Sequence, residues 1–338
     1  MPFVQRLLGA LPDREPLPRP RAGQTGRAIA WSFAGPFALS YMAITIGAAW
    51  PGAQAAASGA APSQGTSTAA AMLWASTLWL WLSLPAWLTV GIAERAPSVG
   101  LPRLSARQLL SASCSVFCLA EAPTFIVQVL FELARTHSPA LASYSGGSGG
   151  STLLGESVSS VAAGISEEIV VLVLPLLAAW RIGEVVTDAR LRRFGLAGLV
   201  VVLTAARLSY HLEYGLAAIP LVPWAVVSVL LYRRSRAVLP LMAAHAGFDI
   251  VLALVNRVAA RDGFAASVAA FAAVTAVALT TALGLSGRGS RSVAPAPGLA
   301  SRAGSPERRS RPDPAAARPE PAREVRRRSG AGPAAPRR

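Results

Sequence analysis

Long apolar stretches separated by short polar segments dominate the chain between residues 29 and 286. A helix needs about 20 apolar residues to cross the hydrocarbon core of a bilayer. We therefore predict an all-α, polytopic membrane protein with eight spans. The predicted spans are residues 29–50, 71–92, 108–134, 157–180, 194–212, 214–232, 237–256 and 263–286. The fifth and sixth form one apolar run, and its interruption at residues 211–215 predicts a tight hairpin.

Arginine placement predicts how these spans are oriented. All 32 basic residues are Arg. With the N-terminus inside, and residues 287–338 left aside, 15 Arg fall in predicted inside segments and 3 in outside loops. Cytoplasmic loops are enriched in positive charge, so we predict that both termini are cytoplasmic.

Changes in composition divide the chain into six predicted regions. They are a cytoplasmic Arg/Pro-rich leader at 1–28, a three-span region at 29–134, a Gly/Ser-rich outside loop at 135–156, a core at 157–257, a last transmembrane helix at 258–286 and a disordered basic tail at 287–338.

Composition excludes two broad classes of protein. Only 14% of the residues are charged and 53% are hydrophobic, which excludes an ordinary soluble globule. The net charge of +15 is concentrated in the tail, which holds 13 Arg and 4 acidic residues. We therefore expect no nucleic-acid partner. The two cysteines, Cys114 and Cys118, lie within one span, which disfavours a disulfide framework or a cysteine zinc site.

Ionisable residues inside membrane spans are costly and mark functional sites. Glu167 and Glu168 lie side by side in the fourth span, and His211 lies at the outer end of the fifth. His245 and Asp249 lie one helical turn apart in the seventh, so they share a helix face. All five fit a slab of the membrane between its midplane and its outer surface.

These residue types are compatible with three roles. In a hydrolytic site, a Glu deprotonates a water while imidazoles bind a metal or stabilise an oxyanion. The same groups suit a proton or transport pathway, or a polar network that fastens helices together. In the third span, Pro123 predicts a kink, and Glu121 either lines the cavity or makes a hydrogen bond within the bundle.

Three short motifs in successive spans resemble those of the CPBP family of intramembrane proteases. That family includes the type II CAAX prenyl endopeptidases and Abi-like bacteriocin-processing or self-immunity proteins. Its motifs are a Glu-Glu pair followed after three residues by Arg, Phe-x-x-x-His, and His-x-x-x-Asn/Asp. Here they correspond to Glu167-Glu168 through Leu172, Arg207 through His211, and His245 through Asp249. The resemblance covers about residues 155–257.

Two positions depart from the family pattern. Leu172 stands where the family has Arg, and Arg207 stands where it has Phe. We hypothesise that Arg207 supplies the missing cation from the neighbouring helix.

The resemblance implies a role for each motif residue. Glu167 is the base that activates water, and Glu168 supports or orients the site. His211 helps to hold the water or a metal, while His245 and Asp249 complete the site and polarise the scissile carbonyl. The family is called metalloprotease, but the chain lacks a His-Glu-x-x-His motif. If a metal binds, Zn²⁺ is the expected ion, with His211, His245 and Glu168 as ligands.

We therefore predict an intramembrane metalloendopeptidase of CPBP/CAAX type in the plasma membrane. Its substrate would be a membrane-embedded or lipid-anchored protein or peptide that enters from the bilayer. Nothing in the sequence selects prenylated substrates or an oligomeric state. Two alternatives remain open, namely an inactive family member with a binding or immunity role, and a proton-coupled transporter.

Overall fold

The computed structural model of the chain describes residues 2–12, 22–58, 69–94, 104–137, 152–185 and 188–286. All regular elements in these ranges are helices, which confirms the all-α prediction. The predicted tail at 287–338 and most of the predicted outside loop at 135–156 lie outside the described residues.

The described helices follow one another without strands between them. In chain order they are α1 (Pro2–Gly9), α2 (Gln24–Ala57), α3 (Ala69–Ala93), α4 (Ala106–Val116), the π-helical turn π1 (Phe117–Glu121), α5 (Ala122–His137), α6 (Leu153–Glu167), the π-helical turn π2 (Glu168–Val173), α7 (Leu174–Val185), α8 (Ala189–Ser209), a 3₁₀ helix (Leu212–Leu221), α9 (Val222–Ser235), α10 (Val238–Asp262) and α11 (Phe264–Ser286).

Seven segments of the described chain are long and apolar enough to cross a membrane. They are Gln24–Gln54, Trp74–Ala93, Ala106–His137, Leu153–Gly183, Tyr214–Ser235, Val238–Asp262 and Phe264–Leu285. Each overlaps one of the eight predicted spans, so the chain is a multi-pass membrane protein with one candidate span fewer than predicted.

The predicted span at 194–212 is the one that has no counterpart among the candidate spans of the described residues. Helix α8 carries Arg190 and Arg193 in its first turns and Arg207 near its end, and it stops at Ser209. The apolar part of the helix is therefore shorter than about 20 residues. The predicted tight hairpin is also corrected, because two short 3₁₀ pieces follow between Leu212 and Leu221, with a kink between them at Gly215, whose φ of 55° and ψ of −129° are not helical.

Local capping explains where several helices begin. Ser105 and Gln108 form a reciprocal capping box at the start of α4. The side chains of Thr152 and Asp188 accept hydrogen bonds from backbone N–H groups in the first turns of α6 and α8. These caps satisfy amide groups that have no partner within the helix.

The centre of the bundle is the continuous segment formed by α6, π2 and α7. In its most apolar window 67% of the residues are buried inside the protein, more than in any other candidate span. Helices α3 and α10 pack against α6, while α11 packs against both α10 and α4. The predicted Glu-Glu pair thus lies in the most enclosed helix of the bundle.

Candidate active site

The Glu-Glu pair lies where α6 passes into π2. Glu167 is the last residue of α6, and Glu168 is the first residue of π2. The turn ends at Leu174, whose N–H donates to the carbonyl of Ile169, and Pro175 follows directly. Proline lacks an N–H and crowds the preceding turn, so a widened turn accommodates it. Turns of this kind recur at functional sites.

Close packing of α6 on α10 brings the third motif to this pair. A Cβ added to Gly164 would lie 2.9 Å from the backbone nitrogen of Ala246 and 3.0 Å from its Cβ. Glycine at this position lets the two backbones approach closely. Because Gly164 precedes Glu167 by one helical turn and Ala246 follows His245, the contact sets the separation of the motif side chains.

His245 is the hub of the cluster. Its Nδ1 lies 3.1 Å from Oε1 of Glu168 and forms a hydrogen bond with it. Its Nε2 lies 3.6 Å from Oδ2 of Asp249 and 3.9 Å from Oε2 of Glu167. The indole of Trp224 packs edge-on against the imidazole, with ring centroids 4.4 Å apart. The ring is therefore held from both sides, and Nε2 faces two further carboxyl groups.

Arg207 reaches the same cluster from α8. Its guanidinium forms an ion pair with Oε2 of Glu168 at an N–O distance of 2.6 Å, with both side chains fully buried. The angles of this contact are not those of a hydrogen bond. Arg207 also donates to Ser228 at 2.9 Å, and its guanidinium carbon lies 4.1 Å from the centroid of the Trp224 ring. Three different groups thus hold this charge in one place.

Leu172, at the family's Arg position, is fully buried in the hydrophobic core. The cation beside Glu168 comes instead from Arg207. This geometry agrees with the hypothesis that α8 supplies the charge.

Glu167 has a different environment from Glu168. Its Oε2 accepts a hydrogen bond from the hydroxyl of Tyr210 at 2.6 Å. Asp249 is the most open member of the cluster, because one third of its side chain is exposed, against 11% for Glu167. The side of the cluster that carries Glu167, Asp249 and Nε2 of His245 is therefore its more exposed, open side.

His211 lies beside the cluster without a direct bond to it. It follows α8 and precedes the 3₁₀ helix, where its ring lies 4.5 Å from that of Tyr210 and stacks on that of Tyr214 at 5.6 Å. Among the described residues, its side chain makes no hydrogen bond or ion pair with Glu167, Glu168 or His245. The structure thus brings four predicted residues into contact and leaves His211 at their edge.

The donor set gives no support to the predicted metal ligands. Both oxygens of Glu168 are already engaged, by His245 and by Arg207. In the part of the chain that the structure describes, no group of three or more His, Cys, Asp or Glu side chains is arranged to hold a metal ion. The set His211, His245 and Glu168 therefore does not fit a metal ion.

Sequence reasoning did not assign a role to three residues that hold the cluster. Tyr210 lies inside the second motif, and its position next to His211 was the available signal. Trp224 and Ser228 lie one turn apart on α9, and an aromatic and a hydroxyl residue in a span give no signal of their own.

Comparison with known proteins agrees with this geometry. Residues 151–251 match the family model described as type II CAAX prenyl endopeptidase Rce1-like. No curated protein and no solved structure matches the chain. The matched segment contains all three motifs.

Proposed function

We propose, from the match of residues 151–251 to the Rce1-like type II CAAX prenyl endopeptidase family, that this chain is an intramembrane peptidase. The observation that carries the proposal is the cluster of Glu167, Glu168, His245 and Asp249 in one buried site. Nothing in this geometry selects a prenylated substrate. The substrate class is a protein or peptide that reaches the site from the membrane.

Glu167 acts as the general base. Its carboxylate lies 3.9 Å from Nε2 of His245, a separation that a water molecule bridges. The Glu167 carboxylate takes a proton from this water as the oxygen attacks the scissile carbonyl, and it passes that proton to the leaving amide nitrogen. The hydroxyl of Tyr210 donates to Oε2 and fixes the orientation of the carboxylate.

Glu168 is a positioning residue and not a second base. Its two oxygens are engaged by His245 and Arg207, so neither is available to a water. The bond from Nδ1–H to Glu168 orients the imidazole and stabilises its positive charge, as the buried carboxylate of a catalytic triad does. Nε2–H of the resulting imidazolium then faces the site and can donate to the developing oxyanion.

Asp249 and His211 border the open side of the cluster. Asp249 lies 3.6 Å from Nε2 of His245, close enough to hold the imidazolium or the attacking water. The His211 ring, held between Tyr210 and Tyr214, forms the edge past which the substrate enters. We also propose that both termini are cytoplasmic and that the protein lies in the plasma membrane.

The test compares new protein termini in membranes of cells that express the wild-type chain or Glu167→Gln. We expect a set of termini that requires the wild-type chain and is lost in the variant. Loss of a general base lowers the rate by about 10²–10⁴-fold, so residual cleavage should fall below detection. Thermal unfolding of the purified variant should stay close to that of the wild type.

Glu132→Gln is the matched control. Glu132 lies on α5, is one third exposed and pairs with Arg135 within the same helix. Its variant should give the wild-type terminus profile. Identical profiles for the wild type and Glu167→Gln, at equal abundance, would contradict the peptidase and favour the binding or immunity alternative.

A further inference from the structure

A further buried glutamate, Glu121, lies next to the cluster and has no role in the proposed chemistry. Glu121 is the last residue of π1, and its side chain is only 1% exposed. The turn π1 packs against α9 and α10, the helices that carry Trp224 and His245. Like π2, it ends just ahead of a proline, Pro123. The two widened turns therefore bring one glutamate each to the same region of the bundle.

Glu121 differs from the other buried glutamates in its bonding. Among the described residues the buried glutamates are Glu94, Glu121, Glu167 and Glu168. Glu94 and Glu168 are paired with arginine, and Glu167 accepts a bond from Tyr210. Within the same part of the chain, Oε1 of Glu121 has no hydrogen-bond partner and its carboxyl has no ion pair.

An ionised carboxylate in this position would be very costly. Moving an isolated charge out of water into an apolar site costs far more than a folded protein can offset, so such a group is held in its neutral form. A neutral carboxylic acid can also serve a site, since it donates a hydrogen bond and carries no charge.

The charged and titratable groups that act on Glu121 are those of the candidate active site. They are His245 and Asp249 on α10, Glu168 on π2 and Arg207 on α8. A negative charge on Glu121 would add to the carboxyl groups of Glu167, Glu168 and Asp249 around one imidazole and one guanidinium. Whether Glu121 keeps its proton therefore changes the net charge of the cluster.

We propose that Glu121 is a positioning residue that holds a proton beside His245 and Asp249 and so prevents an excess of negative charge in the cluster. The proposal deepens the peptidase function, since the ionisation of this group would change the charge around the oriented imidazolium. Its proton content is nevertheless a property of the folded chain that is measurable without any substrate.

The first test is an infrared difference spectrum of the full chain in lipid nanodiscs at neutral pH, wild type minus Glu121→Gln. We expect the wild type to show the C=O stretch of a protonated carboxyl group that the variant lacks. Glu121→Leu, which removes the same carboxyl and keeps an apolar side chain, should give the same loss. Glu132→Gln is the control and should remove only carboxylate bands, because that group is partly exposed and paired with Arg135.

The second test is the pH profile of kcat/KM for the wild type and Glu121→Gln. Ionisation of Glu121 at high pH adds a negative charge that stabilises the His245 imidazolium of the wild type, so the alkaline limb of the variant, which lacks this charge, should lie at lower pH. A purely structural role would leave that limb in place.

The outcomes separate this inference from the peptidase proposal. A difference spectrum with only carboxylate bands overturns the stored proton, whatever the activity of the chain. A protonated band together with an unmoved alkaline limb overturns the positioning role. Absence of Glu167-dependent cleavage overturns the peptidase and leaves the infrared result to decide the state of Glu121.

Discussion

Glu94 and Glu168 are both fully buried carboxylates paired with arginine, and the two clusters around them differ in how fully their polar groups are paired. Glu94 follows α3 and binds Arg27 at 2.9 Å, Trp31 at 3.0 Å and Arg181 at 2.8 Å, so each of its oxygens has a cationic partner. These contacts join α2, α3 and α7. We call this group the Glu94 cluster, and we call the group around His245, where we propose that catalysis takes place, the catalytic cluster.

The catalytic cluster has the opposite balance. Three carboxyl groups surround one imidazole and one guanidinium, and Nε2 of His245 stands 3.6 Å and 3.9 Å from Asp249 and Glu167 without a close bond. A fully satisfied polar network rigidifies a fold, while an unpaired buried polar group is costly. Arginine pairing is common to both clusters, so we expect the incomplete pairing around His245, and not the arginine, to mark the functional site.

The largest effect is expected from removal of the one charge that stabilises the catalytic cluster. Arg207→Leu leaves Glu168 buried without its arginine partner, which should lower the free energy of unfolding by about 3–5 kcal/mol. Cleavage should fall as well, because Glu168, the partner of His245, is no longer held in place. Thermal unfolding and a terminus-based cleavage assay measure the two effects.

The double variant Leu172→Arg, Arg207→Leu provides the decisive comparison. A cation returned to π2 at the family's Arg position should recover both stability and cleavage relative to Arg207→Leu. Full activity and stability in Arg207→Leu alone would refute the idea that this guanidinium has replaced the missing arginine.

Disruption of the Glu94 cluster should lower the stability of the protein and leave its cleavage rate unchanged. Glu94→Gln removes the negative charge between Arg27 and Arg181, and we expect a loss of about 3 kcal/mol, at the lower end for a buried pair because Arg27 is 33% exposed. Cleavage per folded molecule should stay at the wild-type level. A strong loss of turnover in fully folded Glu94→Gln would erase the distinction between the two clusters.

The pH dependence of stability sharpens this prediction. Burial opposes ionisation of Glu94, but hydrogen bonds from Trp31 and Arg27 and the charges of Arg181 and Arg27 outweigh it and lower the pKa of the carboxyl. The stabilisation is therefore complete above the ordinary carboxyl pKa of about 4.3 and is lost as the pH falls through the lowered value. The difference in unfolding temperature between the wild type and Glu94→Gln should be large at neutral pH and shrink on acidification.

Much of this architecture could be predicted because membrane spans obey a simple length rule. Seven apolar stretches became candidate spans, while 194–212 did not, since apolar composition cannot show that α8 stops at Ser209. Pro123 predicted a kink in the third span. It did not predict that the chain would form the π-helical turn π1 there, or the similar turn π2 ahead of Pro175.

The ionisable residues of the candidate site were easier to predict than the residues that hold them in place. Carboxylates and imidazoles in spans are rare enough to single out Glu167, Glu168, His245 and Asp249. Their roles stay predictions, and His211 is placed at the edge of the group. Tyr210 and Trp224 hold the cluster through packing and one hydrogen bond, which depend on three-dimensional contacts that no spacing rule encodes.

A smaller effect should come from the packing that separates the motif side chains. Gly164→Ala would place a methyl group 2.9 Å from the backbone nitrogen of Ala246, so α10 must move away from α6. Overpacking of this kind costs about 1–3 kcal/mol. A shift near 1 Å in a catalytic group can cost about 100-fold in rate, so cleavage should fall more than stability.

Two variants test that assignment to the α6–α10 contact. Gly198→Ala on α8 adds the same methyl group where nothing lies within 4 Å, and it should lower neither stability nor cleavage. Ala246→Gly removes one of the close contacts of the new methyl group, the Cβ at 3.0 Å, and should recover part of the loss in Gly164→Ala. Equal losses in Gly164→Ala and Gly198→Ala would point to helix flexibility and not to helix separation.

The smallest effect should come from an ion pair on the same two helices, between Glu156 of α6 and Arg257 of α10. Their N–O distance is 2.9 Å, but the side chains are 19% and 43% exposed. Water screens such a pair, so Arg257→Gln should lower the free energy of unfolding by less than about 1 kcal/mol, and high salt should abolish the difference. Cleavage should be unchanged, because Gly164 and the catalytic cluster already fix the spacing of the helices. A loss as large as that of Glu94→Gln would mean that charge pairing at the helix ends, and not close packing at their middle, holds α6 against α10.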